Sequence, residues 1–197
     1  SEFLRISQTA LPAKVLKSHV PELNSYSRTT SGLSVGLQLL GGHPDRLAQT
    51  ALLAAKPGAS SIDLNFGCPA PTVNRNDGGA TLLKYPERMF EIVKAVRQAV
   101  PMEVAVSAKL RLGWDDPRAI FKNAEQVEKG GANWMTIHGR TRMQGYLPPA
   151  YWEPIGAVKK NSALPIVANG EIWTLDDFRR CEEQSDAEHF MLGRVAM

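Results

Sequence analysis

Residues 61–80 read SIDLNFGCPAPTVNRNDGGA, a strand that turns into a glycine-rich loop at a cysteine. Ile62–Asn65 is short, rich in strand formers and closed by turn residues, as a buried strand is. Pro69 lacks an N–H and fixes its own φ, so the strand cannot run on past Cys68. The thiol is thereby presented on a loop at a strand tip. After it, Asn74-Arg75-Asn76 and Gly78-Gly79 have the composition of a flexible polar loop.

The same alternation repeats on both sides of this stretch. Further strand candidates are Glu2–Ile6, Val35–Leu40, Val104–Arg111, Trp134–His138, Pro165–Asn169 and Glu188–Leu192. Several read as continuous apolar runs, the pattern of parallel strands covered on both faces. Between them lie runs of helical length. Pro44 opens one that stops at Pro57-Gly58, with His43 as no more than its approach. Pro86 opens another, in which Met89, Phe90, Val93, Val96 and Val100 recur at helical spacing. Asp116-Pro117 is read as a cap with a first-turn proline, and Gly130-Gly131 ends that helix. Tyr151–Lys160 is a further helix. Thr174 with Asp177 forms a capping box that uses Asp in place of Glu.

Repeated strand–helix alternation at about 25–40 residues per unit implies a parallel α/β architecture. The fold expected is a (β/α)8 TIM barrel occupying 1–197 as one domain. Such a barrel has eight strands in about 250 residues. Seven strand candidates in 197 residues therefore predict a truncated barrel, with a first strand missing in front and a closing helix missing behind. An open doubly wound sheet is the competing arrangement.

Composition narrows the class. Hydrophobic residues make up 43% and charged residues 22%, with no membrane-length apolar run, so a soluble protein without a membrane partner is expected. No signal segment is visible, and a cytoplasmic location follows by default. The two cysteines, Cys68 and Cys181, and the four histidines are too scattered for a disulfide framework or a metal site. A net charge of +3 is compatible with a polyanionic partner.

Barrel enzymes build their sites from the C-terminal ends of strands. Here those ends carry Gln38, Asn65 with Cys68, Lys109 with Arg111, His138 with Arg140, Asn169-Gly170-Glu171, and Gly193-Arg194. Turn and cap chemistry accounts for about half of this polarity. The remainder points to a site.

The segments DLNFGCP, VNRNDGGATLL, SAKLRLGW, HGRTRMQGY, PIVANGEIW and MLGRVAM, in this order, resemble the tRNA-dihydrouridine synthases. The resemblance runs over essentially the whole chain, and the GEIW ending is most like the C-type branch, associated with uridine 16 of the D-loop. It implies an FMN-dependent reduction of a tRNA uridine to 5,6-dihydrouridine, with NADPH as reductant of FMN. The family usually adds a C-terminal helical tRNA-binding domain, and nothing in this sequence corresponds to it. The absence of a Rossmann glycine fingerprint agrees with NADPH as a transient visitor. A monomer is expected.

By this resemblance Cys68 is the catalytic acid. Saturating the 5,6 double bond of uracil takes a hydride at carbon 6 and a proton at carbon 5, and a thiol of ordinary pKa, about 8.5, holds such a proton near neutrality. The competing reading is a small buried hydrophobe. Gly67 and Pro69 favour the first. Lys109 and His138 resemble flavin contacts, the lysine placing a cation near the electron-rich edge of the ring. Gln38 also resembles a flavin contact. Asn65 serves flavin, the incoming uracil, or its own loop. Asn169, Gly170, Glu171, Gly193 and Arg194 resemble a cradle for the FMN phosphate, as barrels often have after their last strands. Arg75 is read as a phosphate contact of the RNA. Arg140 and Arg142 meet either flavin phosphate or tRNA backbone. Trp114, Tyr146, Tyr151 and Trp152 offer stacking faces or simple packing. Cys181 has no assigned role. Two other functions remain compatible with the residues: a dihydroorotate-dehydrogenase-like FMN barrel acting on a free pyrimidine, and a barrel fragment that binds RNA without turnover.

Overall fold

A computed structural model describes residues 3–193. Seven strands form one sheet in chain order: β1 (Leu4–Arg5), β2 (Leu37–Leu40), β3 (Ser61–Asn65), β4 (Ala105–Arg111), β5 (Trp134–His138), β6 (Ile166–Asn169) and β7 (His189–Met191). Every neighbouring pair is parallel. The helices are α1 (Ala13–His19), α2 (Pro44–Ala55), α3 (Pro71–Asn74), α4 (Pro86–Ala99), α5 (Ala119–Lys129), α6 (Glu153–Asn161) and α7 (Leu175–Ser185). Sequential parallel strands joined by helical crossovers are the staves of a TIM barrel. Among the described residues β1 and β7 do not pair with each other, so the staves form an open arc. A doubly wound sheet is excluded, because its strand order would reverse at a switch point.

The strand expectation needs one correction. The strands are not apolar on both faces. Leu37, Leu39, Ile62, Leu64, Val106, Ala108, Leu110, Met135, Ile137, Ile166 and Ala168 all belong to the buried core, with the inner sides of α2, α4 and α5. The residues between them in β3 and β4 are Asp63, Ser107 and Lys109, on the opposite, inner face. The apparent continuity came from short strands in which the small or polar inner residues were outnumbered.

Helix punctuation held at most points. Pro44 and Pro86 lie in the first turns of α2 and α4. At α7, Asp177 N donates to Thr174 Oγ1 at 3.1 Å and Thr174 N donates to Asp177 Oδ2 at 3.0 Å, completing the capping box. The start of α5 lies later than Asp116-Pro117 suggests. Asp116 accepts from the backbone and guanidinium of Arg118, making a turn that precedes the helix.

The expected flexible loop after Cys68 is instead α3 followed by a 3-10 helix, Gly79–Lys84. Its polar side chains are used locally. Asn74 Nδ2 donates to Cys68 O at 2.9 Å, Thr81 Oγ1 donates to Asn74 O, and Arg88 spans Asp77 and Gly42 O. Polarity here reflects backbone groups that needed partners.

Candidate active site

A cavity of about 540 Å³ opens at the C-terminal ends of the strands, in the size range of cofactor and ligand sites. Of the residues expected to act there, Asn65, Cys68, Lys109, His138, Arg140, Asn169, Gly170, Glu171 and Gly193 line it. Arg194 lies outside the described residues. Gln38, Arg75 and Arg142 do not line it. Gln38 sits behind Asn65, Arg75 is exposed at the end of α3, and Arg142 stands over the Trp114 ring at 4.7 Å.

The cysteine loop is held firmly. Asn65 Oδ1 accepts from Gly67 N at 3.0 Å and Cys68 N at 2.9 Å, while Cys68 O accepts from Asn74 Nδ2 and from Ala80 N. Both backbone groups of Cys68 are therefore pinned, and the half-buried residue lines the cavity. Gly79 makes this closeness possible. Its φ is +58°, and a Cβ there would lie 2.8 Å from Cys68 O. Cys181 is the opposite case. It is fully buried on α7, where burial pushes its thiol up to about 11.

Lys109 projects from β4 into the cavity and donates from Nζ to Asn169 Oδ1 at 2.8 Å. Burial lowers its pKa to about 8, opposed by the negative charge of Asp63 and reinforced by the positive charge of Arg111. Asp63 responds in the other direction. Burial raises its carboxyl above the ordinary value, against hydrogen bonds from Ser107 and Gln38 and the Lys109 charge.

Arg111 is a site residue that sequence reasoning named without giving a role. It is 2% exposed, donates to the carbonyls of Gly67, Thr141 and Gly145, and lies 5.2 Å from the Tyr146 ring. Burial, more than any neighbour, lowers its pKa. Its spacing of two from Lys109 was the available signal, since residues i and i+2 of a strand share a face. Tyr146 also stands edge-on to His138, with centroids 6.4 Å apart.

Arg140 occupies a different environment from the one expected of a phosphate ligand. It is 1% exposed, paired with the Glu171 carboxylate, and its Nε donates to Leu147 O at 2.7 Å. The pair ties the loop after β5 to the loop after β6. Glu171 also accepts from Trp173 Nε1. Gly170, at φ +109°, packs against the His138 ring, where a Cβ would come within 3.1 Å, and its carbonyl accepts from Trp152 Nε1. Trp152 is therefore a buried anchor and no stacking platform.

Chemically, the cavity offers a cysteine sulfur, a buried amine, a guanidinium with an exposed phenol beside it, and a wall of glycine and amide groups. That donor set suits an electron-rich aromatic cofactor together with a planar, carbonyl-bearing substrate.

A family model described as dihydrouridine synthase (Dus) matches residues 1–197. The tRNA-dihydrouridine(16) synthase of Pseudomonas putida is 48% identical over 194 residues, covering 98% of this chain and 60% of that protein. The tRNA-dihydrouridine(16) synthase of Shewanella oneidensis is 46% identical, covering 100% of this chain and 62% of its own. The chain thus spans about three fifths of the curated relatives it matches. Among solved structures, a phosphonopyruvate hydrolase superposes with a TM-score of 0.61 at 16% identity, over 91% of this chain and 60% of that one, a likeness of fold alone.

Proposed function

The chain belongs to the dihydrouridine synthase family, and from that premise we propose that its cavity reduces a D-loop uridine of tRNA, uridine 16, to 5,6-dihydrouridine. The carrying observation is that Cys68, the only half-buried cysteine of the chain's two, lines the same cavity as Lys109, Arg111 and His138. The relatives are tRNA-dihydrouridine(16) synthases, which supports the position, and their activity passes to this chain as part of the proposal.

The residues present fit FMN. A buried cation at Lys109, the wall around Gly170 and the amide of Asn169 match the needs of an isoalloxazine that becomes electron-rich. When bound and reduced by NADPH, FMN supplies the hydride that carbon 6 of uracil takes up. Cys68 holds the proton for carbon 5 and gives it up as that carbon becomes basic. Lys109 and His138 hold the cofactor's polar edge, and Lys109 keeps positive charge where negative charge develops. Arg111 presents a donor to the uracil carbonyls and the exposed Tyr146 beside it covers a base that has left its stack, while Asn65 holds the cysteine loop. The backbone around Gly170 and Gly193, after β6 and β7, is assigned to the phosphate end of FMN, together with Arg194, which lies outside the described residues. Arg75 and Arg142, outside the cavity, are assigned to tRNA phosphates.

Among the described residues no helix is long and apolar enough to cross a membrane. We place the reaction in the cytoplasm, with a single chain supplying every group named. The test has two stages. The purified protein should show a flavin absorption spectrum, and tRNA treated with it and NADPH should contain dihydrouridine at position 16. A protein that stays colourless after FMN is added, or a flavin-loaded protein that yields no dihydrouridine, overturns the proposal.

A further inference from the structure

Beneath the cavity a buried carboxylate starts a chain of hydrogen bonds whose polarity is fixed at both ends, by the carboxylate and by two backbone N–H groups. Asp63 Oδ1 accepts from Ser107 Oγ at 2.6 Å, and Asp63 Oδ2 accepts from Gln38 Nε2 at 2.5 Å. Gln38 Oε1 then accepts from Asn65 Nδ2 at 2.8 Å. Asn65 Oδ1 accepts from the backbone N–H of Gly67 and of Cys68. These links join β2, β3 and β4 at adjacent register positions, Gln38 facing Asp63 and Asp63 facing Ser107.

An amide side chain can be inserted either way round, and two amides in series can reverse together. An ionised carboxylate only accepts. It therefore obliges Gln38 to offer its NH2, which turns the Gln38 oxygen to Asn65, which turns the Asn65 oxygen to the loop. A neutral amide at position 63 removes the selection at that end and replaces a charge-assisted hydrogen bond to Gln38 with a weaker one. The loop end still demands the Asn65 oxygen, so the substitution loosens the chain that holds the loop and does not reverse it.

We propose that Asp63 is a positioning residue for Cys68, acting through Gln38 and Asn65 to hold the thiol-bearing loop in its working geometry. The proposal rests on the proposed function only in taking Cys68 as the working thiol. Its structural half stands on the hydrogen bonds alone.

The test reads the thiol directly. Alkylation of Cys68 by iodoacetamide, at one fixed pH and followed by mass spectrometry, reports how firmly the loop is held. The fully buried Cys181 serves as the internal check on global unfolding. Asp63→Asn and Gln38→Met are each expected to raise the Cys68 rate about tenfold, the order of one buried hydrogen bond. The double variant is expected to go no further than either single one, since all three cut the same chain. Ser107→Ala leaves the carboxylate in place and is expected to stay within about twofold of wild type. Dihydrouridine formation by the flavin-loaded Asp63→Asn protein should fall while its NADPH oxidation holds.

Unchanged alkylation in folded Asp63→Asn, or effects of the two substitutions that simply multiply, overturns the proposal. So does a loss confined to NADPH oxidation, which would place the role of Asp63 in Lys109 and the cofactor. Should Asp63→Asn not fold, Gln38→Met against Ser107→Ala decides the same point. If wild type makes no dihydrouridine, the functional reading fails while the alkylation comparison still judges the loop.

Discussion

The two faces of the sheet are built on opposite principles. The outer face, Leu37, Ile62, Leu64, Val106, Leu110 and Ile137, is 1% exposed or less and belongs to one apolar cluster with residues of the helices. The inner face carries Gln38, Asp63, Asn65, Ser107, Lys109, Thr136, His138 and Asn169, polar residues at the same strand positions. Burying alkyl groups stabilises the fold at about 25 cal/mol per Å². Burying an amine or a carboxylate opposes it unless every polar atom finds a partner. One face holds the molecule together; the other spends part of that stability on keeping charged groups out of water.

That contrast can be broken or sharpened by substitution. The largest effect is expected at Cys68→Ala, where loss of the proton donor should lower dihydrouridine formation about a hundred- to ten-thousand-fold with flavin content and melting temperature nearly unchanged. Nucleoside analysis beside a thermal melt measures both. A melting temperature that falls in step with activity would make the cysteine a packing residue.

Leu64→Ala, on the outer face of the same strand, should do the reverse. Removing a fully buried leucine is expected to lower stability by about 2–5 kcal/mol, read by chemical denaturation, with activity per folded molecule retained.

Lys109→Met should separate the two properties within one side chain. The lysine is charged at neutral pH although burial lowers its pKa to about 8. Its removal is expected to depress turnover, and to raise stability by as much of the cation's burial penalty as the lost attraction to Asp63 does not offset. The sign can be followed with pH. Below about 8 the lysine is protonated both folded and unfolded, so the full burial penalty is felt. From about 8 to 10.5 the folded chain has released the proton and the unfolded chain has not, so stability rises with pH across that window. The stability advantage of Lys109→Met should shrink there, and wild-type turnover should fall through about 8 as the cation is lost. A flat difference between the two proteins would show that Lys109 is not buried as a cation.

The smallest change is expected at Trp152→Phe. It deletes the hydrogen bond to Gly170 O and should cost about 1 kcal/mol, with a modest weakening of flavin binding through the Gly170–His138 contact.

Much of this molecule was legible before any coordinates. The β5 boundaries, Trp134–His138, were read without error, because a strong β-former run was closed by glycine. The proline starts of α2 and α4 were equally plain. Most of the strand-tip residues picked out by position do converge on one cavity. Asp63 lies mid-strand, where the sequence gives no sign of a role, and only its contacts with Gln38 and Ser107 reveal what it holds. Arg140 lines the cavity as its position at a strand tip implies, but its partner is the Glu171 carboxylate on another loop, which no local sequence signal reveals. The segment after Cys68 read as mobile because polar, glycine-bearing sequence gives no hint of which backbone groups its side chains will satisfy.

By itself the sequence determined the alternation of strands and helices, the interruption at Cys68-Pro69 and the family to which the chain belongs, because these depend on near neighbours and ordered motifs. The tertiary structure alone decided which strand residues look inward, which ions pair, and how the cysteine loop is clamped. Those outcomes turn on contacts between residues such as Gln38 and Asp63, or Lys109 and Asn169, that are far apart along the chain and are brought within hydrogen-bonding reach only by the register of parallel strands.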